Sequence, residues 1–203
     1  MTEDVDLSLL ALLPEPAGFR DRLLLGMAAA IREQGSFRPV TVAEVVRHAR
    51  TSRRTFYQHF DDRESCFLAL FDVVSARLLE TIADAATGDG PFARRAERAV
   101  AAYLGTLAAE PTLTRACIQE TASLGPEGLA RHRAMNDLWA QQIMRLVEEA
   151  RRHDDALRPL GLEVATIITG GFRDLVLVAL DQGRDLTELQ DVAVDVLRRI
   201  TLR

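Results

Sequence analysis

The sequence predicts an all-α protein, and three observations carry that prediction. Apolar residues recur at helical spacing over most of the 203 residues. Pro91, Pro111, Pro126 and Pro159 each stand just ahead of such a segment, where a helix tolerates proline in its first turn. No alternating apolar–polar run bounded by turn residues offers a strand. Apolar residues make up 48% of the chain and aromatic residues only 5%, a balance that suits helices packed on helices.

Helices are expected at about 19–34, 41–48, 52–58, 62–86, 91–109, 111–123, 126–152, 160–182 and 187–201. The second begins at Thr41, which with Glu44 has the spacing of a capping box: the hydroxyl takes the Glu44 amide and the carboxylate returns to the Thr41 amide. Val42, Val45, Val46 and Ala49 then form its buried stripe. The third begins at Ser52, an N-cap residue that satisfies amides the first turn leaves free. Prolines mark the starts of the later helices. Segment 160–182 is apolar around most of its circumference and needs burial on several sides. Segment 187–201 is amphipathic, with Leu189, Val192, Val196 and Ile200 on one stripe.

The stretch TVAEVVRHARTSRRTFYQHF, residues 41–60, is two short helices joined by a tight turn. Phe56 and Phe60 are one helical turn apart and point into a core, which leaves Arg53, Arg54, Tyr57 and Gln58 outside. A helix offering that set from its N-terminal end matches the recognition element of a helix-turn-helix, whose early residues reach base edges in the major groove. Arginine can bond guanine O6 and N7 bidentately, and glutamine adenine N6 and N7. Tyr57 and His59 suit phosphate oxygens, which position a protein without specifying sequence.

The segment GFRDRLLLGMAAAIREQGSFRPVTVAEVVRHARTSRRTFYQHFDDRESCFLALF resembles the N-terminal domain of TetR-type transcriptional regulators. That family has a first helix ending near a Gly-aromatic turn, here Gly35, Ser36 and Phe37. A Thr-initiated helix follows, then a Ser-x-x-Thr-aromatic-Tyr-x-His-Phe segment and a basic residue opening the next helix. Thr41, Ser52, Thr55, Phe56, Tyr57, His59, Phe60 and Arg63 occupy those places. The resemblance implies DNA contacts from Thr41, Ser52, Arg53, Arg54, Thr55, Tyr57, Gln58, His59 and Arg63, the last to a phosphate. Two positions depart from the pattern. Arg50 stands where the family usually has glycine in the inter-helix turn; if that position requires a positive φ, a side chain there costs about 1 kcal/mol. Arg54 stands where the family often has a small residue, and so either adds a contact or lies along the backbone.

Charge distribution agrees with a DNA-reading N-terminal region. The net charge is −5, yet residues 19–66 hold nine arginines against six acids, a local +3, while 1–18 and 67–203 each carry −4. Local charge governs DNA affinity. The modest excess predicts marked salt sensitivity without extreme nonspecific binding. Every Lys/Arg position is arginine, which with abundant Ala, Val and Leu reflects a coding bias as much as phosphate binding. Cys66 and Cys117 are too few for a disulfide framework and, without a signal peptide, point to a reducing cytoplasm. The apolar run Leu7–Leu13 is too short to span a membrane. Residues 1–18 are expected to be a flexible arm ending at Pro14 and Pro16, the alternative being a Leu-rich arm that packs on the body or a partner subunit.

The resemblance also implies an organisation: 19–66 as DNA-binding domain, 67–203 as regulatory domain, and dimerisation through helices 160–182 and 187–201. Gly170 and Gly171 would let another helix approach closely, whether from a second subunit or from the same chain. Two heads on a two-fold axis would read a near-palindromic operator with half-sites about one helical turn apart. In the family a cavity of the bundle takes a small molecule and alters head spacing. The residues unusual for a plain core are Tyr103, Cys117, Glu120, His132, Asn136, Trp139 and Arg173, with Met135 and Ile143 supplying an adaptable apolar wall beside Trp139. Met135 and Trp139 equally suit an ordinary core, and Glu120 and Arg173 an ion pair or the surface.

Catalysis has little support, since no phosphate loop, nucleophile elbow or Cys-pair zinc spacing is present. His48, His59, His132 and His153 are dispersed, so neither a metal nor another cofactor is expected. The sequence therefore points to a dimeric regulator, a repressor released from DNA by a small, mostly apolar effector. The alternatives are a DNA-binding regulator controlled by a protein partner, and a helical-bundle enzyme or binding protein whose apparent head is incidental.

Overall fold

The computed structural model describes residues 17–88 and 90–202; the expected N-terminal arm falls almost entirely outside them. Among the described residues there are nine α-helices and no strand. They are α1 (Phe19–Gln34), α2 (Val42–His48), α3 (Arg53–Tyr57), α4 (Arg63–Ala85), α5 (Phe92–Ala109), α6 (Pro111–Gln119), α7 (Gly125–Arg151), α8 (Leu162–Asp181) and α9 (Gln190–Thr201). The ends differ from expectation by a residue or two. The 111–123 segment closes in a 3-10 turn at Thr121–Ser123, and the last helix is preceded by one at Leu186–Leu189, where the Asp185 carboxylate caps the Thr187 amide at 2.9 Å.

The chain divides into two compact units. One takes the described residues up to 77 together with 109–132, the other 78–108 and 133–202, so the division falls inside α4 and α7.

In the first unit α1 packs on α2, α3 and α6. α1 stops at Gly35, which takes a left-handed φ of 78° and returns its N–H to the Ile31 carbonyl at 2.8 Å, a conformation glycine adopts without steric cost. The core is formed by Leu23, Met27 and Ile31 of α1, Phe37 and Val40 of the following turn, Val45, Phe56, and Phe67 and Leu70 of α4, all buried. Gly26 sets how closely α1 and α2 approach: a Cβ there would lie 2.5 Å from the Val45 carbonyl oxygen and 3.0 Å from Ala49 Cβ.

The second unit is built on Val100, Leu104 and Leu107 of α5, Ala140 and Val147 of α7, Ala165, Ile168 and Val176 of α8, and Val194 of α9. Its arginines close helix ends. Arg98 donates to the Ala85 and Thr87 carbonyls at 2.9 and 2.7 Å and Arg95 to the Ala86 carbonyl at 2.8 Å, placing cations where the end of α4 concentrates negative charge. The Arg158 amide donates to the Thr201 carbonyl at 2.7 Å and ties the loop after α7 to the end of α9.

Candidate nucleic-acid interface

The reading element is assembled from local hydrogen bonds. At α2 the Glu44 amide donates to Thr41 Oγ1 at 3.3 Å, and Glu44 Oε2 accepts from the Thr41 amide at 2.7 Å and its hydroxyl at 2.8 Å, which completes the capping box. Those bonds hold the Glu44 carboxyl below its ordinary range. At α3 the Thr55 amide donates to Ser52 Oγ at 3.1 Å, and the Ser52 and Thr55 hydroxyls are 2.9 Å apart. Thr41, Ser52 and Thr55 are thus first of all the residues that start these two helices.

Between them Arg50 takes φ 48°, the one positive-φ non-glycine residue among the described ones. This is the conformation anticipated for the turn position where glycine is usual. Left-handed backbone crowds a Cβ, so Arg50→Gly is expected to raise stability by about 1 kcal/mol. Thermal unfolding of the two proteins measures it, and an unchanged or lower melting temperature would refute the strain.

α3 is pinned from beneath and open above. Phe56 is fully buried and Phe60 nearly so, their ring centroids 5.8 Å apart. Ser52, Arg53, Arg54, Tyr57, Gln58 and His59 are exposed, and Tyr57 keeps 58% of its surface accessible, a large value for an aromatic ring. Arg53, Arg54 and Gln58 make no side-chain hydrogen bond or ion pair among the described residues. The short helix and its C-cap residue Gln58 therefore present outward two guanidiniums unpaired among the described residues, an amide and a phenol.

Arg63 is placed differently. Its Nη1 donates to the Arg38 and Val40 carbonyls at 2.7 Å each, its Nε to Glu64 at 3.0 Å, and the guanidinium lies 4.9 Å from the Phe37 ring centroid. In this structure it clamps the turn between α1 and α2, which holds α2 and α3 in register with α4. Glu120 grips the same turn from the other side: its Oε1 accepts the Phe37 amide at 3.1 Å, while its Oε2 is buried without a hydrogen bond. Sequence reasoning missed both contacts and the close approach at Gly26, since each depends on a partner distant in sequence. Two further ties join these elements, Arg32 to Glu110 at 3.3 Å and Arg131 to both Asp72 and Glu127. Burial raises the Asp72 carboxyl despite the opposing pull of Arg131.

The expected effector-lining residues fall into two sets. Cys117, Glu120 and His132 belong to the first unit; Tyr103, Met135, Asn136, Trp139, Ile143 and Arg173 belong to the second. In the second, Tyr103 and Trp139 meet edge to face with centroids 5.8 Å apart, and Arg173 pairs with Asp174 at 3.2 Å. Burial raises the Tyr103 hydroxyl, against a lowering influence from Arg173. In the first, burial with a contribution from Glu120 pushes the Cys117 thiol up to about 12, and burial likewise raises Cys66. Both thiols are held protonated and out of reach. Among the described residues no group of three His, Cys, Asp or Glu is placed to hold a metal ion, and no helix is long and apolar enough to cross a membrane.

Residues 24–70, which contain this interface, match the family model for bacterial regulatory proteins of the tetR family. No curated protein matches the chain in sequence. Solved structures match its fold over nearly the whole length. The fatty acid degradation regulator FadR from Bacillus halodurans superposes with a TM-score of 0.78 at 18% identity, covering 91% of this chain and 96% of that one. The transcriptional regulator FadR from Bacillus subtilis, in complex with stearoyl-CoA, gives 0.74 at 16% identity, covering 87% and 96%. Reduced NemR from E. coli gives 0.72 at 17% identity, covering 91% and 98%. Residues 24–70 are thus similar to the tetR-family model, and the chain has the all-α fold of these solved regulators.

Proposed function

We propose that this chain, a TetR-family regulator by its reading head and its fold, is a homodimeric cytoplasmic repressor that leaves a near-palindromic operator when a small, mostly apolar effector binds. The observation that carries the reading is the outward face of α3, where Arg53, Arg54 and Gln58 have no partner among the described residues and Phe56 and Phe60 anchor the helix from below. Arg53, Arg54 and Gln58 are assigned to base edges. Tyr57 and His59 are assigned to phosphates, with Thr41, Ser52 and Thr55 presenting hydroxyls at the two helix starts.

Dimerisation is assigned to α8 and α9. Val164, Ile167 and Val178 are exposed apolar residues of α8, Ile167 at 70%, and Val192 adds to them from α9. A Cβ at Gly170 or Gly171 would meet nothing within 4 Å among the described residues, which supports close approach of a helix from a second subunit. The effector is assigned to the second unit, where Tyr103, Met135, Asn136, Trp139, Ile143 and Arg173 combine an aromatic pair with a cation. Stearoyl-CoA, which the Bacillus subtilis FadR structure holds, is the first effector to try. Release requires that the effector favour the head spacing that does not fit DNA.

A gel shift on DNA flanking the protein's own gene tests the reading. Arg53→Ala is expected to cost about 1–3 kcal/mol and to relax preference at one base pair per half-site. An unchanged preference in that variant would remove Arg53 from base readout. Loss of the shift on adding stearoyl-CoA would support effector release by that compound.

A further inference from the structure

Beside the start of the reading helix, a cavity of about 270 Å³ is lined by Arg22 and Leu25 of α1 and by His48, Ala49 and Arg50 at the end of α2. Two of these residues are cations without a carboxylate partner among the described residues. Arg22 lays its guanidinium over the Phe19 ring, 4.3 Å from the centroid, and neither it nor Arg50 has a side-chain hydrogen bond or ion pair among the described residues. His48 is otherwise engaged, its Nε2 2.7 Å from Glu33 Oε2 and 3.0 Å from Arg47 Nη2, so it serves the cavity as a wall. Glu33, the acid nearest to that wall among these contacts, is taken up by Arg47 and His48.

Two features bring Arg22 and Arg50 to the same cavity. Gly26 lets α1 lie against Val45 and Ala49, which carries Arg22 and Leu25 toward the end of α2. Arg50 holds a left-handed backbone at the cavity's edge, a conformation glycine would adopt freely. A strained position occupied by an unpaired cation beside a second one points to use of the side chain. Two like charges lining one small space, with apolar Leu25 and Ala49 beside them, favour entry of an anion. The planar fork of arginine is suited to phosphate oxygens.

We propose that this cavity is a phosphate site in which Arg22 and Arg50 hold one phosphate group between them. Its source is either a backbone phosphate of DNA beyond the stretch read by α3 or the phosphate of a free small molecule. The first source rests on the DNA-binding function proposed above; the second does not.

The test uses the full chain and the double variant Arg22→Gln/Arg50→Gly, in which glycine relieves the turn and keeps loss of fold from imitating loss of binding. In one arm a labelled mixed-sequence duplex is titrated by fluorescence anisotropy over a range of salt. In the other, both proteins are melted in sodium phosphate and in sodium chloride at equal ionic strength. For a DNA phosphate, the double variant binds duplex more weakly and its log K against log salt slope falls by about 0.9 for each phosphate lost. For a free phosphate, the slope is unchanged, and phosphate raises the melting temperature of the parent protein but not of the variant. If neither the slope nor the phosphate response changes, the site does not exist. If the parent protein binds no duplex at any salt, the proposed DNA-binding function fails on its own and the melting arm alone decides the phosphate site.

Discussion

Phe37→Ala is expected to destabilise the unit that contains the reading head by about 3–5 kcal/mol, the cost of emptying a buried aromatic site. The ring is 1% exposed and stacks on Phe67 with centroids 4.3 Å apart and planes at 24°. The Arg63 guanidinium covers it, and the residue's own amide is held by Glu120. Removing the ring therefore takes away more than its own burial, because it loosens the turn through which α2, α4 and α6 are joined. Domains of this size are commonly stable by only about 5–15 kcal/mol, so the substitution removes a large share of the total. Urea titration followed by circular dichroism measures the loss. Phe37→Leu keeps most of the volume and should recover more than half of it. A loss below about 1 kcal/mol for the alanine variant would show that the turn does not depend on the ring.

Gly26→Val is the second large effect, expected at about 3 kcal/mol or slightly more, the upper end for overpacking. Its Cβ would meet a backbone carbonyl, the Val45 oxygen at 2.5 Å, and a backbone atom cannot swing aside as a side-chain tip can. The variant would push α1 off α2, and with it the start of the reading helix, so DNA affinity should fall together with stability. Gly26→Ala should lose less, because alanine's helix propensity returns about 1 kcal/mol. A Gly26→Val protein as stable as its parent, measured by thermal unfolding, would mean that the two helices can separate without cost.

What the sequence made legible was mostly local. The capping box at Thr41 and Glu44, the cap at Ser52, and the inward Phe56 and Phe60 against the outward Arg53, Arg54, Tyr57 and Gln58 depend on residues within one turn of each other. The left-handed turn was also legible, because Arg50 stood where a glycine was expected. Contacts closed by the fold were not. Arg63 has the composition of a phosphate-binding cation, yet two backbone carbonyls and an aromatic face engage it. Glu120 looked unusual for a core, which is equally true of an effector ligand and of a carboxylate that holds an amide 83 positions away. Nor does helical spacing along α6 and α7 reveal that Cys117, Glu120 and His132 belong with the reading head while Met135 and Trp139 belong with the other unit.

That unit is discontinuous, which has a consequence for synthesis. Residues up to 77 leave the ribosome first, but Arg32, the Phe37 amide and Asp72 find their partners at Glu110, Glu120 and Arg131. At about 5–20 residues per second, several seconds pass before residue 132 has been made and the head can close. The unit that holds α3 therefore cannot close until residues 78–108 of the second unit have also been made. A fragment cut after residue 77 would carry every side chain assigned above to DNA and lack the partners Glu110, Glu120 and Arg131.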